Sequence, residues 1–488
     1  MRRPNILLLH GDQHRWDCLG CAGNPDVKTP NLDALAAQGR RYTQHYTVYP
    51  VCTPSRYSML SGQYVHQHTA WSNHSTLPQG TATFPKLLRE HGYRTAAVGK
   101  MHFSPTYLDV GFDRMVLAEQ NGDGRFEDDY HAYLMEQGLT DSVDLTDQVD
   151  CFRQRASETY YQRFGAYESD LPLEHHSTSW ITRQALAEID SWNPDGGNLL
   201  MVGYVKPHHP FDPPVPYSTM YDPQELTLPD GWLSEEPEVD FQNQAGFFDY
   251  RTLTEESLRQ VLAYYYGTIT QIDDGVGEIL SRLRKKGLYD DTLIIYTSDH
   301  GEYLGYHHML LKGNFLYDPL AHIPLIIKYP GEMDGVTDER LSENIDLCTT
   351  ILAVCNVEPV PAMSSGIDLR SEGREYVFSE GQYGSDKTPC IGYMLRSAKG
   401  KLLVQGAPCN RRYFDLDSDP LEMRDRADDP AYAEQVRQHW MALMDRVMFS
   451  GGGKNHLDLD APQRRKQSEL DERAAQVRAF AEEQIQIL

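Results

Sequence analysis

The sequence predicts an α/β protein: a large mixed, mainly parallel sheet sandwiched by helices, with a smaller C-terminal antiparallel sheet plus helix. Three observations carry that prediction. Continuous apolar runs such as "NILLL", "NLLMVGYV" and "DTLIIYTS" suit strands buried on both faces. Amphipathic helical patterns stand between them, as crossover connections require. After about residue 360 the texture changes to short alternating segments separated by turns. The expected organisation is a catalytic α/β domain over 1–360, a small α+β domain over 361–450, and a linker with a helical tail over 451–488.

The elements follow in order. "NILLL" (5–9) is the first strand. "TPNLDALAAQG" (29–39) is a helix with Thr29 as cap, Pro30 at the first position and Gly39 as stop. "TFPKLLREHGY" (83–93) is a second helix and leads into the strand "RTAAVG" (94–99). The runs at 198–205 and 291–298 are buried strands, and "IPLIIKY" (323–329) is another. The longest helical pattern spans 255–287 and ends in basic residues and Gly287. Segments within 375–422 form the small sheet, packed by a helix over 433–447. "SGGGKNHLDLDAPQRRK" reads as a flexible linker. The closing amphipathic helix either lies on the body or reaches a neighbouring subunit, which offers a route to a homo-oligomer.

Composition narrows the function. With 71 acidic and 45 basic residues the formal charge is −26, which excludes a nucleic-acid partner or an anionic membrane surface. No apolar run has the length of a transmembrane helix, and the start reads as a strand rather than a secretion signal. The 8 cysteines follow no framework spacing. They are expected to be free thiols, "CLGC" (18–21) included, in a cytoplasmic protein.

Sites in open α/β sheets lie beyond the carboxyl ends of strands. There the sequence delivers His10, Asp12 and Gln13; Lys100 and His102; Lys206, His208 and His209; and Asp299 and His300. Asp12, Asp299 and His300, with Gln13, make a cation site of hard oxygen donors plus one imidazole, suited to Ca²⁺ or Mg²⁺ and, through the imidazole, to Mn²⁺. Lys100, Lys206 and Lys312 are candidates to hold a tetrahedral oxyanion. His102 and His208 are the better candidates for proton transfer; Lys206, His209, His307 and His308 are expected on the solvated surface or in supporting positions.

Cys52, in "YPVCTPSRYSMLSGQY", precedes a pair that starts helices, with Thr53 as cap and Pro54 at the first position. A thiol before a helix N-terminus is activated, and Arg56 can return toward the same point. The Cys-x5-Arg spacing of cysteine phosphatases is absent, however, and a plain thiolate matches hard oxygen donors poorly.

"CTPSR" (52–56) resembles the Cys-x-Pro-Ser-Arg signature of the sulfatase family, within the alkaline-phosphatase-like superfamily. "GKMH" (99–102), "PHHPF" (207–211), "SDHGEYLGYHHMLLK" (298–312) and "YFDLDSDPLE" (413–422) resemble its further motifs, in the expected order. The resemblance implies that a maturation enzyme oxidises Cys52 to formylglycine, whose hydrate attacks the sulfur of a small sulfate ester and later expels sulfate. It implies that Asp12, Gln13, Asp299, His300 and the modified Cys52 hold one divalent cation, Ca²⁺ ahead of Mn²⁺ or Mg²⁺. Arg56 would orient the diol and His102 would deprotonate its second hydroxyl. Lys100, His208 and Lys312 would bind sulfate, His208 or Lys312 protonating the leaving oxygen. Gln13 and His300 stand where the commoner pattern has Asp and Asn. Both changes are shared with hydrolases of phosphonate monoesters and phosphodiesters, so a phosphonate ester is the alternative substrate.

Overall fold

Ile6, Leu7, Leu8 and Leu9 are all fully buried, because the strand they form has a packed layer on each face. Ile6 and Leu8 join a cluster with Leu60, Leu88 and Ile351; Leu7 and Leu9 join one with Leu35, Ile181 and Ile279. That division is the two-residue alternation of a strand. Truncating any of these leucines to alanine is expected to cost about 2–5 kcal/mol. The computed structural model describes residues 3–122, 124–235, 237, 247–312, 315–371, 373–383, 390–406, 409–450 and 467–488.

The strands are β1 (Asn5–Asp12), β2 (Arg40–Tyr46), β3 (Arg94–Gly99), β4 (Arg114–Leu117), β5 (Asn198–Pro207), β6 (Thr292–Ser298), β7 (Leu325–Lys328), β8 (Val336–Glu343), β9 (Val377–Tyr383), β10 (Cys390–Arg396), β11 (Gly400–Gln405) and β12 (Asn410–Asp415). The large sheet has 8 strands in the order β4-β3-β5-β1-β6-β7-β2-β8. Its pairs are parallel except those of β7, which runs against β6 and β2. The mixed, mainly parallel sheet is as predicted, and β9–β12 form the antiparallel sheet of 4 strands. Every strand foreseen as an apolar run is present. β2, β4 and β8 lack such a run, being half-exposed or charged, and give no comparable signal.

Two helix starts differ from the sequence expectation. The helix Pro30–Gln38 begins at Pro30, but Thr29 does not cap it. The Thr29 hydroxyl is engaged by Asp33 and the Gly20 amide, and Asp273 of the long helix Glu255–Lys285 accepts from the amides of Asn31 and Leu32 instead. The second is the helix bearing Cys52, described below. Helix Phe84–Glu90 does follow expectation, with Thr83 accepting from the Lys86 amide.

The linker expected after Ser450 lies outside the described residues. The tail helix Gln467–Gln484 takes the first of its two alternatives and lies on the body. Val477 and Ala481 are buried against Phe126, Ala132, Leu145 and Phe152, and Arg473 pairs with Asp129 at 3.2 Å. Among the described residues no helix is long and apolar enough to cross a membrane.

Candidate active site

Cys52 begins the helix Cys52–Ser61, every residue of which is buried. The start lies two residues earlier than the Thr-Pro pair suggests. Val51, extended at φ −142°, is the cap residue, and Cys52 occupies the first turn. Thr53 is unavailable as a cap because its hydroxyl donates to the His102 carbonyl at 2.8 Å. Its amide is satisfied by Asn73 Oδ1 at 3.1 Å. Cys52 Sγ therefore sits where amide dipoles favour negative charge.

Around it, β1 delivers Asp12, and the end of β6 delivers Asp299 and His300. Ligand atoms of Asp12, Cys52, Asp299 and His300 all lie within 4.8 Å of one another. Arg56, on the same helix as Cys52, donates from Nη2 to Asp12 Oδ2 and from Nε to Asp299 Oδ2, both at 2.9 Å. Each carboxylate thereby gives one oxygen to the guanidinium and keeps Oδ1 on the side of His300, whose Nε2 lies 3.8 Å from Asp12 Oδ1 and 3.9 Å from Asp299 Oδ1. His300 Nδ1 is hydrogen-bonded to the Gly301 carbonyl at 3.0 Å, which fixes a proton on Nδ1 and turns Nε2 inward.

Gln13, in the left-handed region at φ +64°, is held by its neighbours. Its amide donates to Asp299 Oδ1 at 3.1 Å and its Nε2 donates to Glu302 Oε2. Gln13 Oε1 is buried with no hydrogen-bond partner among the described residues. An orphaned amide oxygen, two inward carboxylate oxygens and an imidazole nitrogen fit a hard divalent cation.

The cationic groups converge on the other side. Lys312 Nζ lies 3.0 Å from Cys52 Sγ, 2.9 Å from His208 Nε2 and 3.4 Å from His300 Nε2. Lys100 Nζ pairs with Asp12 Oδ2 at 2.8 Å and donates to Gln120 Oε1 at 3.1 Å. Its loop approaches β5 closely: the Lys100 amide donates to Gly203 O at 2.7 Å, and a Cβ on Gly203 would meet Lys100 O at 2.1 Å. No side chain beyond hydrogen is tolerated there.

Charge states follow from these contacts. Burial opposes ionisation of Asp12, yet Lys100 and Arg56 hold its pKa well below the usual carboxylate value. Burial and Asp12 oppose a Cys52 thiolate, but Lys312, Lys100 and His300 outweigh them and the thiol pKa falls well below its ordinary value. Burial likewise opposes the Lys312 ammonium, which Cys52 and Asp12 nevertheless stabilise. Burial, then Lys312 and Lys100, depress His208 far below 6.5. His208 is thus neutral. With Nδ1 hydrogen-bonded to His209 O at 2.7 Å, its Nε2 accepts from Lys312.

The structure thus brings Asp12, Cys52, Arg56, Lys100, His208, Asp299, His300 and Lys312 into one connected cluster. His102, at φ +55°, joins it through its backbone: its amide donates to both Glu119 oxygens, its carbonyl accepts from Thr53, and its Nδ1 is buried without a partner among the described residues. Lys206 does not join the oxyanion-facing group. It turns to Asp212, Asp144 and the Pro210 carbonyl, because those buried carboxylates need a counter-charge. His307 stacks on Tyr306, His308 stacks on Trp232, and His176 is buried as a helix cap. Three supporting residues escaped sequence reasoning. Glu302 accepts from Gln13 Nε2 and from the Leu311 amide beside Lys312, and its place in "SDHGE" was the signal available. Asn73 and Gln120 lie in loops that carry no pattern.

Lys312 and His208 line a cleft of about 500 Å³. A family model described as Sulfatase matches residues 4–357. An arylsulfatase of Clostridium perfringens is 29% identical over 468 residues, covering 89% of this chain and 92% of its own. Multifunctional alkaline phosphatase superfamily protein PehA of Trinickia caryophylli is 31% identical over 496 residues, covering 90% of this chain and 94% of its own. The phosphonate monoester hydrolase of Silicibacter pomeroyi superposes with a TM-score of 0.76 at 27% identity, covering 95% of this chain and 100% of that one.

Proposed function

The chain belongs to the sulfatase family of sulfuric ester hydrolases, and from that premise we propose that it cleaves small organic sulfate esters with a formylglycine made from Cys52. The observation that carries the reading is the position of Cys52 Sγ, 3.0 Å from Lys312 Nζ and among the Asp12, Asp299 and His300 ligand atoms. A nucleophile, an anion-binding cation and a metal-type donor set meet at one atom. Asp12, Gln13, Asp299 and His300 would hold one divalent cation, Ca²⁺ in preference to Mn²⁺ or Mg²⁺. When bound, the cation lowers the pKa of the nucleophilic hydroxyl and draws charge from the sulfuryl oxygens.

The remaining roles belong to the chain. Arg56 holds the two aspartates in register and offsets the charge of the hydrated aldehyde. Lys100 and Lys312 bind sulfuryl oxygens and neutralise charge that grows in the transition state. Lys312, an ammonium in contact with neutral His208, supplies the proton to the leaving oxygen, and His208 relays its replacement. His102 takes the proton of the second hydroxyl. Because Cys52 is fully buried, a formylglycine-generating enzyme must act before this helix packs.

A second reading, cleavage of phosphonate monoesters by the same residues, is favoured by Gln13 and its bond to Glu302. An aspartate at position 13 would face that carboxylate, so the Gln13–Glu302 pair sustains the less negative pattern shared with phosphorus-cleaving relatives. The test is kcat/KM for 4-nitrophenyl sulfate against a 4-nitrophenyl phosphonate monoester, on protein co-expressed with the maturation enzyme. Preference for the sulfate is expected. Preference for the phosphonate would keep the roles above and reassign the substrate.

A further inference from the structure

We propose that Gln120 is a positioning residue for ester cleavage, its side-chain amide aiming the Lys100 ammonium at the sulfuryl group; the inference rests on the hydrolase reading above. Gln120 lies just beyond β4 and is buried. Its Oε1 accepts from Lys100 Nζ at 3.1 Å, and its Nε2 donates to Asp144 Oδ1 at 2.8 Å and to the His209 carbonyl at 2.9 Å. A primary amide has two N–H donors, and both are committed. Turned over, the amide would set its N–H groups against the ammonium and its oxygen against a carboxylate and a carbonyl. The oxygen is therefore locked toward Lys100.

The anchors are themselves held. Burial opposes ionisation of Asp144, yet Arg125 and Lys206 bring its pKa down to about 2, so it remains a carboxylate. Arg125 donates from Nη2 to Asp144 Oδ2 and from Nη1 to the Gln120 backbone carbonyl, the latter at 2.9 Å. The His209 carbonyl also accepts from His208 Nδ1 at 2.7 Å. Lys100 follows β3 and His208 follows β5, and Gln120 refers both to that one carbonyl.

Lys100 is fully buried, and among the described residues its ammonium meets Asp12 Oδ2 at 2.8 Å and Gln120 Oε1. An ammonium carries three donors on a flexible stem. Two fixed partners set the direction of the third, which falls to an oxygen of the substrate. Neighbouring Glu119 takes the amides of Met101 and His102 at 3.1 and 3.0 Å, so Glu119 and Gln120 together grip the backbone and the charged tip of one loop. A cation held in place in this way acts on charge that grows in the transition state without first having to reorient.

The experiment is a double-mutant cycle on kcat/KM for 4-nitrophenyl sulfate, with Gln120→Met, Lys100→Met and the two combined. Gln120→Met alone is expected to lower kcat/KM about tenfold, and less than about twofold once Lys100 is already methionine, since nothing is then left to position. Equal losses in the two backgrounds overturn the proposal, because a residue that served only the fold would weaken both alike. Gln120→Asn keeps the amide but draws it back by one methylene, and it carries the same cycle where the methionine variant does not fold. Calorimetric binding of inorganic sulfate to the same proteins repeats the cycle without turnover. Coupling in that binding supports the positioning role even if no ester is cleaved, a result that would sink the hydrolase reading alone. An active enzyme in which neither cycle shows coupling sinks the positioning role alone.

Discussion

Lys206 is the last residue but one of β5 and His208 follows two residues later, yet they belong to different buried charge clusters. Lys206 sits with Asp144, Asp212 and Arg125, a group whose charges face one another. His208 sits with Lys312, Cys52, Asp12 and Asp299, where each aspartate keeps one oxygen beside His300. Gln120 joins the two, accepting from Lys100 and donating to Asp144. The difference teaches that burial of charge is no mark of a site by itself. A cluster whose carboxylates face their own lysine and arginine holds the backbone, whereas one in which carboxylate, thiol and imidazole atoms converge within 4.8 Å of one another is poised to bind something else.

The largest expected effect breaks the second cluster at its centre. Cys52→Ala should lower kcat by at least ~10⁴-fold while circular dichroism stays native, because the nucleophile alone is lost. Surviving turnover would sink the covalent mechanism. Asp12→Asn comes next, with an expected loss of about 10³-fold in kcat and of bound divalent cation by elemental analysis. It also removes the charge facing Arg56 and Lys100, so stability should fall by about 3–5 kcal/mol in urea unfolding.

The two lysines test the comparison itself. Lys312→Met is expected to cost about 10²-fold in kcat/KM with a small change in stability. Lys206→Met should do the reverse, destabilising by about 3–5 kcal/mol through unpaired Asp212 while changing kcat/KM less than about threefold. Equal kinetic losses would erase the distinction drawn between the clusters.

The smallest effect per side chain comes from buried histidines. His45, His68, His176 and His322 are fully buried, and burial lowers each pKa to about 3. Below pH ~6.5 the unfolded chain binds protons that the folded one refuses, so stability falls as pH falls toward 4, by about 1.4 kcal/mol per unit for each histidine. Urea midpoints measured from pH 7 to pH 5 should decline accordingly, and His45→Gln should flatten the slope. A pH-independent midpoint would refute the buried neutral state.

The sequence by itself determined the order of the central strands' motifs and the residue types at their carboxyl ends. Apolar continuity marks a strand covered on both faces, and a strand's exit fixes where the following side chains emerge. Asp12, Lys100, His208 and Asp299 were legible for that reason. β2 and β8 were not, since half-exposed strands such as "RRYTQHY" and "VTDERLSE" acquire their partners only when the sheet assembles. Only the tertiary structure decided that Lys206 turns away while His208 turns in, because the choice depends on Asp144, far off in the chain on the helix Ser142–Gln148, as well as on nearby Asp212. It also decided that Thr53 gives its hydroxyl to His102 and that Gln13 points its amide at Glu302. Each is a contact between residues far apart in the chain, and a local pattern carries no information about the far partner until packing brings it within a hydrogen bond's reach.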